Sequence, residues 1–143
     1  MGLSKLLPLR PHVFCKNMCF AEMEPRGSPG RSAVIKSLSL LTRKSTLSQE
    51  EFRRIWISEH APLVHAVPQV RRYILSFILE EPIRPDVPTQ AMNVDAVAEL
   101  WYDDIAALKA AAASPQMKAV TDNGALHLSA IKSFITEEVA IIP

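Results

Sequence analysis

Apolar and polar positions alternate along four segments of the 143-residue chain, and a three- and four-residue apolar rhythm fills the stretches between them. Val34 to Thr42 reads VIKSLSLLT, with Ile35, Ser37, Ser39 and Leu41 on one parity and Lys36, Leu38 and Leu40 on the other, which predicts a first strand. Ser48 and Glu51 have the spacing of a capping box, and Phe52, Ile55, Trp56, His60 and Leu63 then fall on one face of a helix. Pro62 removes a backbone donor and disfavours helical dihedrals at Ala61, so the helix is expected to kink or restart there, just after His60, and to stop before Pro68. Val70 to Glu80 alternates again and is the longest strand candidate. Pro82, Pro85 and Pro88 make the segment from Glu80 to Asn93 a long loop, and Asp95 to Tyr102 reads as a third strand. Asp103 or Asp104 can cap an alanine-rich helix running to Ala113. Ser114-Pro115 restarts a helix that Gly124 is suited to end, and Leu128 to Val139 forms the last strand.

The order strand, helix, strand, strand, helix, strand is that of an α+β, ferredoxin-like βαββαβ sandwich, a four-stranded antiparallel sheet with helices on one face. The other face is expected to carry Tyr73, Phe77 and Trp101 and to need a cover, for which a homodimer is the natural solution. Trp56 on the helix and Trp101 on the strand are expected to meet.

Composition narrows the partners. Hydrophobic residues make up 48% of the chain, enough for one domain with a proper core, and no run of eighteen apolar residues predicts a membrane span. A formal charge of +1 and the lack of a basic stripe argue against nucleic acid and anionic membrane as partners, which leaves small molecules and proteins. Residues 1–33 carry five basic and two acidic groups and end in PRGSPGRS; they read as a flexible N-terminal extension ahead of a domain at residues 34–143. Pro8, Arg10, Pro11, His12 and Lys16 interrupt the apolar residues there, so a secretory signal is not expected and the protein is placed in the cytoplasm. Cys15 and Cys19, with no second Cys or His pair at zinc-site distance, read as free thiols, and no metal site is expected.

His60 is the principal candidate for chemistry. An imidazole titrates near neutral pH, and a backbone break aims its ring either into a pocket, where it can move a proton, or at a free carbonyl of the helix end. His65 reads as a surface residue, His127 as able to approach the pocket, and no acid is spaced to complete a nucleophilic triad. Trp56 and Trp101 serve as core or as walls for a flat ligand. Tyr73 offers a hydroxyl to a substrate carbonyl or to a dimer interface, and Arg71 and Arg72 are expected in solvent or paired with Glu80 and Glu81. Glu99, the odd residue of an apolar strand, shares a face with Val97 and Trp101 and is expected to pair with a base or to sit in a cavity.

The segments LSQEEFRRIWISEHAPLV, VRRYILSFIL, VDAVAELWYDD and ASPQMKAV, in this order, resemble the EthD family of the dimeric α+β barrel superfamily. The most specific element is F-x-x-x-W-x-x-x-H-A-P, here Phe52, Trp56, His60, Ala61 and Pro62. The resemblance implies two ferredoxin-like protomers packed sheet to sheet, each with a pocket between sheet and helices, working without metal or organic cofactor. It implies an isomerase, dehydratase or decarboxylase acting on an aromatic, polyketide-like or lactone compound and strengthens the reading of His60 as acid-base; Trp56, Tyr73, Glu99 and Trp101, from their own chemistry, are the candidate substrate-binding residues. A cofactor-free monooxygenase is allowed by the superfamily, and the alternative of another class is a non-catalytic small-molecule binder or accessory protein of a degradation pathway.

Overall fold

The computed structural model describes residues 34–139 and 141–142; the extension expected at residues 1–33 and its two cysteines lie outside the described residues. Four strands form one antiparallel sheet: β1 (Ile35–Arg43), β2 (Arg72–Phe77), β3 (Ala96–Tyr102) and β4 (Leu128–Glu137), in the spatial order β2-β3-β1-β4. The helices are α1 (Gln49–Ile55), α2 (Ala61–His65), α3 (Ile105–Ala112) and α4 (Pro115–His127), with a π-helical turn at Trp56–His60 joining α1 to α2. This is the ferredoxin-like α+β arrangement read from the sequence.

Local chemistry sets the element ends. The Ser48 side chain accepts from the Glu51 amide and the Glu51 carboxylate accepts from the Ser48 amide, the reciprocal capping box. Asp104 caps α3 through the Ala107 amide, and Ser114 caps α4 through the Met117 amide with Pro115 in the first turn. Asp95 anchors the start of β3, its carboxylate accepting from the backbone and the guanidinium of Arg43. The strand expected at residues 70–80 is shorter, because the chain leaves the sheet after Phe77 for the proline-rich loop.

Alternation along the two central strands fixes both faces. Ala96, Ala98 and Tyr102 of β3 are buried under the helices, with Leu41 of β1 and Tyr73, Leu75 and Phe77 of β2 packed beside them. Alanine at positions 96 and 98 leaves room for the rings of Phe52 and Trp56, which are 0% and 2% exposed. Truncating a buried ring of this size to alanine costs about 3–5 kcal/mol. Val97, Glu99 and Trp101 face the other way, in register with Leu40, Leu38 and Lys36 of β1 and with Ser76, Ile74 and Arg72 of β2.

Two expectations about these faces are therefore corrected. Tyr73 and Phe77 lie beneath the helices, and of the three aromatic residues assigned to the open face only Trp101 is there. Trp56 and Trp101 do not meet, since the sheet separates them. Gly124 does not end α4 either; the helix continues to His127 and passes directly into β4.

The helix restarts at Ala61-Pro62 and ends at His65, before Pro68, as expected, but the restart is made through a π-helical turn, which was not expected. Phe52, Trp56, His60 and Val64 are all buried at steps of four residues. In an α-helix of 3.6 residues per turn each such step overshoots a full turn by about 40°, so the stripe would drift off the core by about 120° over three steps. The π-helical turn is wider, with the Ala61 amide bonded to the Trp56 carbonyl five residues back, and it removes that drift. Pro62 becomes the second residue of α2, a first-turn position where no amide donor is needed.

Candidate active site

The wide turn holds His60 in place. Its ring stacks on Trp56 with centroids 4.0 Å apart and planes at 29°, and Nδ1 lies 2.9 Å from Oδ1 of Asn123 on α4. Oδ1 can only accept, so Nδ1 carries the proton and Nε2 keeps its lone pair. Nε2 makes no hydrogen bond among the described residues. His60 is 6% exposed, and burial lowers its pKa from the ordinary value, against the opposing pull of the Asn123 bond and with a smaller repulsion from His127, one turn beyond Asn123 on α4. The resting ring is thus neutral at pH 7 and able to accept a proton.

Trp56 joins this pair to the sheet. Its Nε1 donates to the Tyr73 hydroxyl at 3.0 Å, which satisfies an otherwise buried indole donor and leaves the tyrosine its own proton to give. Burial raises the Tyr73 pKa, with the Trp56 bond opposing, so the hydroxyl remains protonated. Tyr73 borders a cleft of about 490 Å³ between α2 and the start of β2. Its walls are apolar at Ile57, Ala61, Pro62, Val64 and Val70 and polar at His65, Arg71, Arg72 and Tyr73. His60 is not among the cleft's lining residues; its neighbour Ala61 is.

The five residues singled out from sequence are divided by the sheet. His60, Trp56 and Tyr73 form one connected group on the helix side, whereas Glu99 and Trp101 belong to the open face. There Lys36 Nζ lies 2.9 Å from Glu99 and 3.0 Å from Glu138, and the Trp101 indole donates to Glu138 at 2.8 Å. The pairing expected for Glu99 is observed. Arg72 stands over the Trp101 ring, and Arg71 pairs with Asp103 instead of Glu80 or Glu81. The proline-rich loop borders a second, smaller cleft of about 270 Å³ with Leu40 and Val97 of the open face, so it does not shape the cleft beside Tyr73.

Sequence reasoning missed Asn123 and Gly124. Neither residue type signals a site, and α4 has no strong apolar stripe to show which side faces the core. A Cβ built on Gly124 would lie 3.5 Å from His60 Cε1 and 3.8 Å from the Trp56 ring, ordinary contact distances, so α4 meets the stacked pair closely at this residue. Among the described residues, no three or more His, Cys, Asp or Glu side chains are grouped to hold a metal ion, and no helix is long and apolar enough to cross a membrane.

A four-stranded antiparallel sheet in the order β2-β3-β1-β4, with helices on one face and a buried histidine beneath them, defines a ferredoxin-like α+β domain. Residues 44–126, more than half of the chain, match the EthD domain family, and the chain belongs to that family. A 4-carboxymethyl-4-methylbutenolide mutase of Pseudomonas reinekei is 25% identical over 107 residues, covering 74% of this chain and 99% of its own. A hydroxynitrile lyase from Passiflora edulis shares the fold at a TM-score of 0.61 and 17% identity, covering 78% of this chain and 99% of its own. A dimeric ferredoxin-like protein of unknown function from Thermobifida fusca shares it at a TM-score of 0.57 and 16% identity, covering 78% and 97%.

Proposed function

We propose that this protein is a cofactor-independent enzyme that moves a proton on a small lactone or aromatic compound, in an isomerisation, elimination or decarboxylation, with His60 as the acid-base. The observation that carries this reading is the His60–Asn123 hydrogen bond, which fixes the proton on Nδ1 and leaves a neutral Nε2 as base. Tyr73, its hydroxyl already accepting from Trp56, donates to a carbonyl or carboxylate of the bound compound. The resting His60 ring is nearly closed off, so this reading requires the ring to become accessible from the neighbouring cleft when the compound binds. The relative that is a butenolide mutase supports the substrate class.

The functional unit is a homodimer closed through the open sheet face. The half-buried Lys36–Glu99 pair, the aromatic surface of Trp101 and the apolar Leu38, Leu40, Ile74 and Val97 of that face support this, as does the dimeric state of the structural relative.

A second reading, a non-catalytic binder, has one observation in its favour: Tyr73 and not His60 borders the 490 Å³ cleft. Proton NMR of small lactones, including 4-carboxymethyl-4-methylbutenolide, incubated with the protein in deuterated water separates the two readings. The enzyme incorporates solvent deuterium at carbon; a binder perturbs Tyr73 and leaves every carbon-bound hydrogen in place.

A further inference from the structure

Pro62 is exposed and stands two residues after His60, in the first turn of α2 just beyond the wide turn. In an uninterrupted α-helix the amide of residue 62 would bond the Ser58 carbonyl. Proline has no such amide, and its ring collides with the carbonyl four residues back. The α register therefore gains nothing at this position, and the wide turn, in which Ala61 bonds Trp56, is the arrangement the chain adopts. We propose that Pro62 is a positioning residue for His60: it holds the π-helical turn open and so keeps the imidazole against Asn123 and on Trp56.

The geometry explains why the ring depends on the turn. His60 is stacked on Trp56 four residues before it, and Val64, four residues after it, is 1% exposed in the core. Collapse of the turn into α register rotates one side of the helix against the other by roughly 100°, the angle of one residue. Such a rotation cannot keep Trp56 and Val64 buried while His60 still reaches Oδ1 of Asn123. Gly124 tightens the requirement, because α4 meets the edge of the imidazole there at contact distance. The role of Pro62 in catalysis rests on the reading of His60 as the proton-transfer group; its role in placing the ring does not.

Pro62→Ala and Pro62→Leu both restore the amide donor, and the test follows the His60 ring by NMR of ¹⁵N-labelled imidazole. In the wild type Nδ1 is protonated and the titration midpoint lies below that of a free histidine. Both variants are expected to lose the protected Nδ1 proton and to shift the midpoint upward, with circular dichroism retained and the melting temperature lowered by several degrees in a protein that remains folded. Where exchange into a lactone is observed, kcat falls by about 10- to 100-fold with KM within about twofold, as a ring displaced by an ångström would give. Unchanged His60 resonances in both variants overturn the proposal, because the turn would then be held by core packing alone. Unfolding of both also overturns it, since an exposed first-turn proline acting on local register leaves the sheet intact. Altered resonances together with full activity in His60→Gln would instead keep the placement and refute the catalytic reading.

Discussion

The indole Nε1 of Trp56 donates to the Tyr73 hydroxyl at 3.0 Å, tying the wide turn of the first helical segment to the edge strand of the sheet. This bond passes beneath the helices and connects the buried His60 stack to the cleft between α2 and β2. Tyr73→Phe removes the acceptor and leaves a buried indole donor unpaired, which costs about 1–3 kcal/mol. Urea unfolding of this variant is expected to show a loss of that size with an unchanged m-value. Equal stability of variant and wild type would show that water or another group accepts from Trp56.

Acid weakens the fold through His60. Burial holds its folded pKa below the unfolded value of about 6.5, so as pH falls the unfolded chain takes up the proton first. Stability from this group is complete above about pH 6.5 and is lost as pH drops through the folded value, with a slope of at most about 1.4 kcal/mol per pH unit. His60→Gln keeps a donor for Asn123 without the titration, and its stability curve is expected to be flatter below pH 6.5. Parallel curves for the two proteins would place the acid sensitivity elsewhere.

Gly124→Ala is expected to stabilise the chain. The glycine lies inside α4, where alanine is favoured by about 1 kcal/mol, and the added methyl group meets His60 and Trp56 at ordinary contact distance. A rise in melting temperature of a few degrees tests this. A fall would show that the stacked pair needs the space that glycine leaves.

Lys36→Glu tests the proposed dimer. The lysine stands between Glu99 and Glu138, and these neighbours raise its pKa, so it is firmly charged. Reversing it gathers three carboxylates on the open face of each protomer, and like-charge juxtaposition at an interface costs several kcal/mol. Sedimentation at micromolar concentration is expected to give a folded monomer. A dimer in this variant would mean that protomers associate through another surface.

Much of the fold was legible because local signals agreed with one another. The capping box at Ser48, the Ser114-Pro115 start of α4 and the alternation of β1 and β3 each determine a local conformation, and the element order then selects the sandwich. The faces of β2 were harder to assign, since Tyr73, Leu75 and Phe77 alternate with Ile74 and Ser76 and both sides carry apolar groups; only pairing with β3 decides which is buried. The site was legible in part. His60 stood out through its residue type and through Pro62 two residues on, and the helix does restart there, but by way of a π-helical turn. A buried stripe at unbroken four-residue spacing, Phe52, Trp56, His60 and Val64, was the signal for that turn. Asn123 lies 63 residues from His60 and gives no pattern of its own, so its role emerges only from tertiary packing.

In the proposed reaction His60 moves the proton. The most direct measurement is the rate of deuterium incorporation into 4-carboxymethyl-4-methylbutenolide at pH 7.5 by wild type and by His60→Gln, with melting temperatures recorded alongside. A general base contributes on the order of 10²–10⁴-fold, and a loss of that size in a variant that remains folded is the result expected. Equal rates in the two proteins would contradict that role.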